Sequence, residues 1–217
     1  MVDKSVLSEK KSKPSRGRPR DEGKNIAITE AASELFMELG FQGTNMDKIA
    51  KRAGVSKQTV YSHFESKEVL FARAISMVIE RHSPANVLEN LETHSLESDL
   101  RIICDSYARL LISPEAMSME RLLADEAVKG PELAQIFWES GPKIMQEGIK
   151  DFLRSWADKG ELKIENYNKA AALLTTLLKG KLQFKWSIGL ISEVTEQMIQ
   201  ENIDDTVEVL LGLYKVK

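Results

Sequence analysis

From Ile28 to Tyr214 the large apolar residues recur at intervals of three and four, and no stretch alternates apolar with polar as a half-buried strand would. Such a chain buries its apolar side chains by packing helix on helix, so the spacing predicts an all-α fold. Ile28, Ala31, Ala32, Leu35, Phe36 and Leu39 make one stripe, which Gly40 is placed to end with a left-handed cap. Thr44 to Asp47 reads as the start of a short second helix, with a hydroxyl cap and an acid in its first turn. Gly54 breaks that helix, and Ser56 is placed to cap a third one from Lys57 to Phe64. Ser66 caps a fourth, from Lys67 to about Arg81, ended before Pro84.

The remainder reads as helices throughout. Leu96, Leu100, Ile103, Tyr107, Leu110 and Leu111 form an amphipathic stripe. Further helices are predicted over 115–128 and 131–140, then to Asp158 after Gly141-Pro142, and finally over 167–188 and 195–214. Residues 1–21 are rich in Lys, Ser, Arg, Pro and Gly and cannot bury enough surface to offset ordering, so a disordered basic arm is expected. The expected organisation is therefore an arm (1–21), a three-helix head with a helix-turn-helix (22–82), and a helical body (83–217).

The net charge of −3 hides an asymmetry: residues 1–73 hold 14 Lys/Arg against 10 Asp/Glu, and the rest hold 16 against 23. A basic leading third on an acidic body suits a nucleic-acid-binding head carried by a regulatory body. A single cysteine, Cys104, cannot form an internal disulfide, and no apolar run approaches the eighteen or so residues of a membrane span. With no secretory signal in the opening residues, a cytoplasmic protein without membrane contact is expected.

Two short helices joined through Gly54 form a helix-turn-helix, whose second helix lies in the major groove where base edges are distinguishable. Val55, Val60 and Phe64 can face inward, leaving Lys57, Gln58, Thr59, Tyr61 and His63 outward. The stretch from Ile26 to Phe71 resembles the DNA-binding domain of the TetR family. Ala31 with Leu35-Phe36, Gly40-Phe41, Thr44, Ile49-Ala50, Ala53-Gly54-Val55-Ser56, Thr59, Tyr61, His63-Phe64, Lys67 and Leu70-Phe71 carry the resemblance. It implies a helix-turn-helix over 45–64, base and phosphate contacts from Lys57, Gln58, Thr59 and Tyr61, and DNA-backbone contacts from Thr44, His63 and Lys67. In the arm, Arg16-Gly17-Arg18-Pro19-Arg20 resembles the core of an AT-hook, so Arg16, Arg18 and Arg20 are expected in a narrow minor groove.

One head covers only a half-site, so a two-fold homodimer is expected, built on the last two helices. Leu174, Leu178, Ile199, Ile203, Val207, Leu210 and Tyr214 are the residues expected at that interface. The stretch from Leu110 to Pro142 is similar to the carboxy-terminal domain of AefR-like TetR regulators, loosely extending over 96–190. That resemblance implies a small-molecule effector of unknown identity between helices, with Tyr107, Met117, Met119, Phe137, Trp138 and Met145 as the soft, aromatic lining.

The function expected is a ligand-responsive homodimeric repressor that releases a palindromic double-stranded operator when its effector binds. The alternatives are a transcriptional activator and an architectural protein preferring A·T-rich DNA. No catalytic residue, cofactor or metal is expected. The chain has no Gly-rich phosphate loop, His82 and His94 have no neighbouring ligand set, and the acids Glu120, Asp125 and Glu126 read as solvated.

Overall fold

The structure, a computed structural model, describes residues 22–82, 95–126 and 131–217. The expected arm with Arg16, Arg18 and Arg20, the helix end beyond Glu126, and His94 lie outside the described residues. Ten helices follow one another among those described. The first four are α1 (Glu22–Gly43), α2 (Met46–Arg52), α3 (Lys57–His63) and α4 (Lys67–His82). The body adds α5 (Leu96–Leu111), α6 (Pro114–Glu126), α7 (Glu132–Ser140), α8 (Pro142–Asp158), α9 (Tyr167–Ser187) and α10 (Glu196–Tyr214). The one strand-like feature among them is an isolated antiparallel bridge between Leu162 and Lys215.

Gly40 interrupts α1 at φ 73°, ψ 174°, a conformation open to glycine, and the chain resumes helix for one short turn. The cap of α2 is Asn45, whose side-chain oxygen accepts from Lys48 N at 2.9 Å, so Thr44 is not the hydroxyl cap its position suggested. At the other end of α2, Gly54 takes φ 66° while its N–H donates to Lys51 O, and Val55 N donates to Ala50 O at 3.0 Å. These two bonds make a Schellman closure, which turns the chain sharply into α3. Ser56 then caps α3, accepting from Thr59 N at 3.1 Å.

Two apolar cores result. The first gathers Ile28, Leu35, Phe36, Phe41, Ile49, Val60, Phe64, Leu70 and Phe71 from α1 to α4. The expected three helices of the head are thus closed by α4, and the core does not stop at residue 82, because Met119, Leu122 and Leu133 from α6 and α7 belong to it. The second core joins α5, α8, α9 and α10 around Ile103, Ile149, Leu174, Leu178 and Ile203. Burial there pushes the Cys104 thiol up to about 12, so this cysteine is a core group and not an exposed nucleophile.

This second core corrects the expected dimer surface. Leu174, Leu178, Ile199, Ile203, Val207 and Leu210 are all buried within one chain, and half-buried Tyr214 packs against the same core. Each stripe was read at the right helical phase and faces the chain's own neighbours. The apolar side chains left exposed are others: Phe184, Ile188, Val209 and Leu213. A further difference is the interruption of α9 at Gly180, which the apolar run across 167–188 conceals.

Leu174→Ala should therefore lower stability by about 2–5 kcal/mol, as a deep core truncation does. Ile144→Ala, at a side chain 54% exposed on α8, should stay within about 0.5 kcal/mol in urea unfolding monitored by circular dichroism.

Candidate nucleic-acid interface and cavity

The helix-turn-helix presents one outward face. On α3, Lys57, Gln58, Tyr61 and Ser62 are exposed while Val60 is fully buried, so the helix divides as its sequence predicts. Tyr61 is 48% exposed, so about half of this side chain is open to solvent on the outer side of α3. Thr59 is half-buried, with its Oγ1 2.8 Å from Ser56 Oγ. Lys57 Nζ lies 2.8 Å from Asp47 Oδ1, tying the start of α3 to the start of α2, and that carboxylate raises the lysine's pKa. An exposed pair of this kind contributes little, so a phosphate can take the lysine from Asp47 at little cost.

Three expected backbone-contact residues fare differently. Thr44 is 1% exposed, and its hydroxyl donates to Leu35 O and Gly40 O, both at 2.9 Å, so it is spent inside the fold. Lys67 Nζ donates to Phe41 O at 2.7 Å and to Thr44 O at 3.0 Å, and sits 4.1 Å over the Phe41 ring. Burial lowers its pKa, as removal of water from an ammonium does. Two of its three N–H donors are thus committed to carbonyls beside the α1 break, which corrects its expected role as a free phosphate ligand. His63 is half-buried, and its Nδ1 is inaccessible, with no hydrogen-bond partner.

Below the head, α4, α5, α6, α7, α8 and α9 enclose a cavity of about 320 Å³. Four of the six expected lining residues meet there: Met119, Phe137, Trp138 and Met145. The other two do not. Tyr107 is buried in the body core with its hydroxyl donating to Met145 O at 3.3 Å, and burial pushes its pKa up to about 12. Met117 is buried with its sulfur 3.5 Å from Gln183 Nε2. The polar part of the lining was not anticipated from the sequence: Glu115, Glu120, Gln146, Thr175, Thr176 and Lys179. Their signal was present, since Thr175, Thr176 and Lys179 interrupt an apolar run at one-turn spacing. Glu120 is not a solvated acid: Lys179 Nζ approaches it at 2.7 Å and Gln183 Nε2 donates to it at 2.9 Å.

A helix-turn-helix with a polar, aromatic second helix, mounted on an all-helical body that holds a cavity, defines a DNA-binding transcriptional regulator. Residues 28–74 match the bacterial regulatory proteins of the tetR family, and residues 98–216 match the AefR-like transcriptional repressor C-terminal domain. The chain belongs to the TetR family. It is 34% identical to the HTH-type transcriptional regulator YdeS of Bacillus subtilis (strain 168) over 153 residues, 68% of this chain and 72% of that one. Among solved structures, a TetR-family regulator from Mesorhizobium loti MAFF303099 superposes with a TM-score of 0.76 at 25% identity, covering 92% of this chain and all of that one. The flavonoid-responsive regulator FrrA superposes with a TM-score of 0.69 at 32% identity, over 89% and 98% of the two chains. No helix among the described residues is long and apolar enough to cross a membrane.

Thr44→Val and Lys67→Met should each cost about 1–3 kcal/mol of stability, because the first removes the side-chain donor to Gly40 O and the second the side-chain donor to Thr44 O at the α1 break. Urea unfolding of the two variants beside Lys57→Met, which should unfold with the parent, checks this assignment.

Proposed function

We propose that this regulator is a homodimeric repressor that binds a palindromic operator and releases it when a small molecule occupies the cavity. The observation that carries the ligand response is shared packing. Ile75 of α4 and Met119 of α6 belong to the head's core and also line the cavity. A ligand pressing on either side chain acts directly on the helices that hold α2 and α3. The similarity to FrrA, a flavonoid-responsive regulator, supports the same reading. Coupling of about 1–3 kcal/mol would change operator occupancy roughly 5- to 150-fold.

Dimerisation is favoured by the exposed apolar side chains of the last two helices and the turn between them. Phe184, Ile188, Leu190 and Leu213 are each 59–67% exposed, an arrangement that a second copy would cover. The protein would act in the cytoplasm, with Lys57, Gln58, Thr59 and Tyr61 of each subunit in the major groove and His63 near a phosphate. Arg16, Arg18 and Arg20 of the arm would enter the neighbouring minor groove.

Selection of a duplex from a random library followed by footprinting tests the DNA reading. A short palindromic footprint is expected, and diffuse protection of A·T-rich DNA would sink it in favour of an architectural role. On the selected duplex, Tyr61→Ala and Gln58→Ala should each cost about 1–3 kcal/mol of affinity and relax base preference. Phe184→Glu should dissociate the dimer in analytical ultracentrifugation and weaken operator binding while leaving the helical circular dichroism spectrum intact; an unchanged sedimentation coefficient would remove this face from the interface.

A further inference from the structure

We infer that the cavity is built for an organic ammonium on an aromatic or aliphatic body, with Glu115 as its counter-charge; this rests on reading the cavity as the effector site. The walls are mainly apolar, so the ligand's body must be apolar too. Its polar end is dictated by which lining groups remain free to bond. The cavity carries two carboxylates, Glu115 and Glu120, against one ammonium, Lys179. Lys179 is neutralised by Glu120 at 2.7 Å, and Gln183 occupies the other oxygen of Glu120 at 2.9 Å. Glu115 has no ion-pair partner among the described residues, which leaves one uncompensated negative charge on the lining.

The hydroxyls suit the same chemistry. Thr175 donates its proton to the carbonyls of Ala171 and Ala172, at 3.2 and 3.0 Å, and Thr176 donates to Ala172 O at 2.7 Å. Both hydroxyls can therefore offer a ligand only lone pairs. Gln146 and the Trp138 indole N–H can still donate, so hydrogen bonding alone admits either kind of ligand, and the uncompensated charge of Glu115 is what favours a cation. Trp138 also lines the cavity, and an indole there is the aromatic ring to which a cation is most strongly attracted. An anionic ligand would have to share Lys179 with Glu120 and would bring a third negative charge beside Glu115 and Glu120 in a partly enclosed site.

Calorimetry on the full-length protein with three probes of one shape tests the inference: 1-naphthylmethylammonium, 1-naphthylmethanol and 1-naphthoate. The ammonium should bind about tenfold or more tighter than the naphthoate, with the neutral alcohol between them. Glu115→Gln should erase the preference for the ammonium while leaving the alcohol's affinity unchanged. Naphthoate binding as tightly as the ammonium, or an ammonium preference that survives Glu115→Gln, would overturn the assigned ligand class and leave the site standing. Absence of binding by all three probes would overturn the cavity itself as a ligand site.

Discussion

The geometry of the head depends on how the chain satisfies the break in α1. At Gly40 the helical hydrogen-bond ladder stops, and carbonyls around the corner lose the amide donors that a continuous helix would supply. Leu35 O and Gly40 O receive the Thr44 hydroxyl, and Phe41 O and Thr44 O receive the Lys67 ammonium. Against this polar clasp pack three rings, Phe36, Phe41 and Phe71, with centroids 5.3 to 5.6 Å apart. Lys67 begins α4, Phe71 sits one turn further on, and α2 follows directly from Thr44. One corner therefore fixes α1, α2 and α4 together, and the Schellman turn at Gly54 then aims α3. The outward face of α3 is only as well directed as this corner is rigid.

The second constraint is that head and body do not have separate cores. Leu122 and Met119 of α6 and Leu133 of α7 complete the packing that begins at Ile28 and Phe36. Four helices of some sixty residues in all would bury too little apolar surface to be secure alone, and side chains from the body supply the remainder. Arg81 of α4 also reaches Glu30 of α1 at 2.8 Å, bracing the long helix that leaves the head. The boundary near residue 82 is thus a change in chain path and charge, while the apolar packing runs across it.

Periodicity made the helices legible because it reports which residues share a face, and the stripes found in the sequence are buried in the structure except at their ends, where Leu39 is 45% exposed and Leu111 and Tyr214 are half-buried. What a face packs against is a different question, decided by residues distant in the chain. Leu174 and Ile203 read equally well as a dimer seam and as a core, and the folded chain uses them as core. Thr44 and Lys67 look like surface groups in the sequence because their type is polar. Their partners are backbone carbonyls, which carry no sequence signature. The cavity divides along the same line: Met119, Phe137, Trp138 and Met145 reach it, whereas Tyr107 and Met117 lie on helices that also border it but point into packed core. Local chemistry served best where the contact is local, as at the Ser56 cap and the Gly54 turn.

The shared residues also set the scale on which a ligand could act. Repacking one or two core side chains commonly costs about 1–3 kcal/mol, the size of the coupling that a regulator needs between its two sites. Ile75 and Met119 line the cavity and belong to the same core as the rings that hold the α1 corner. No long relay is required, since the wall of the cavity is part of the head's packing. A ligand that fits the cavity as it stands would hold the head in its present arrangement, and one that requires Ile75 or Met119 to move would favour another. In either case the difference in its affinity for the two arrangements is the whole of the energy available to shift them.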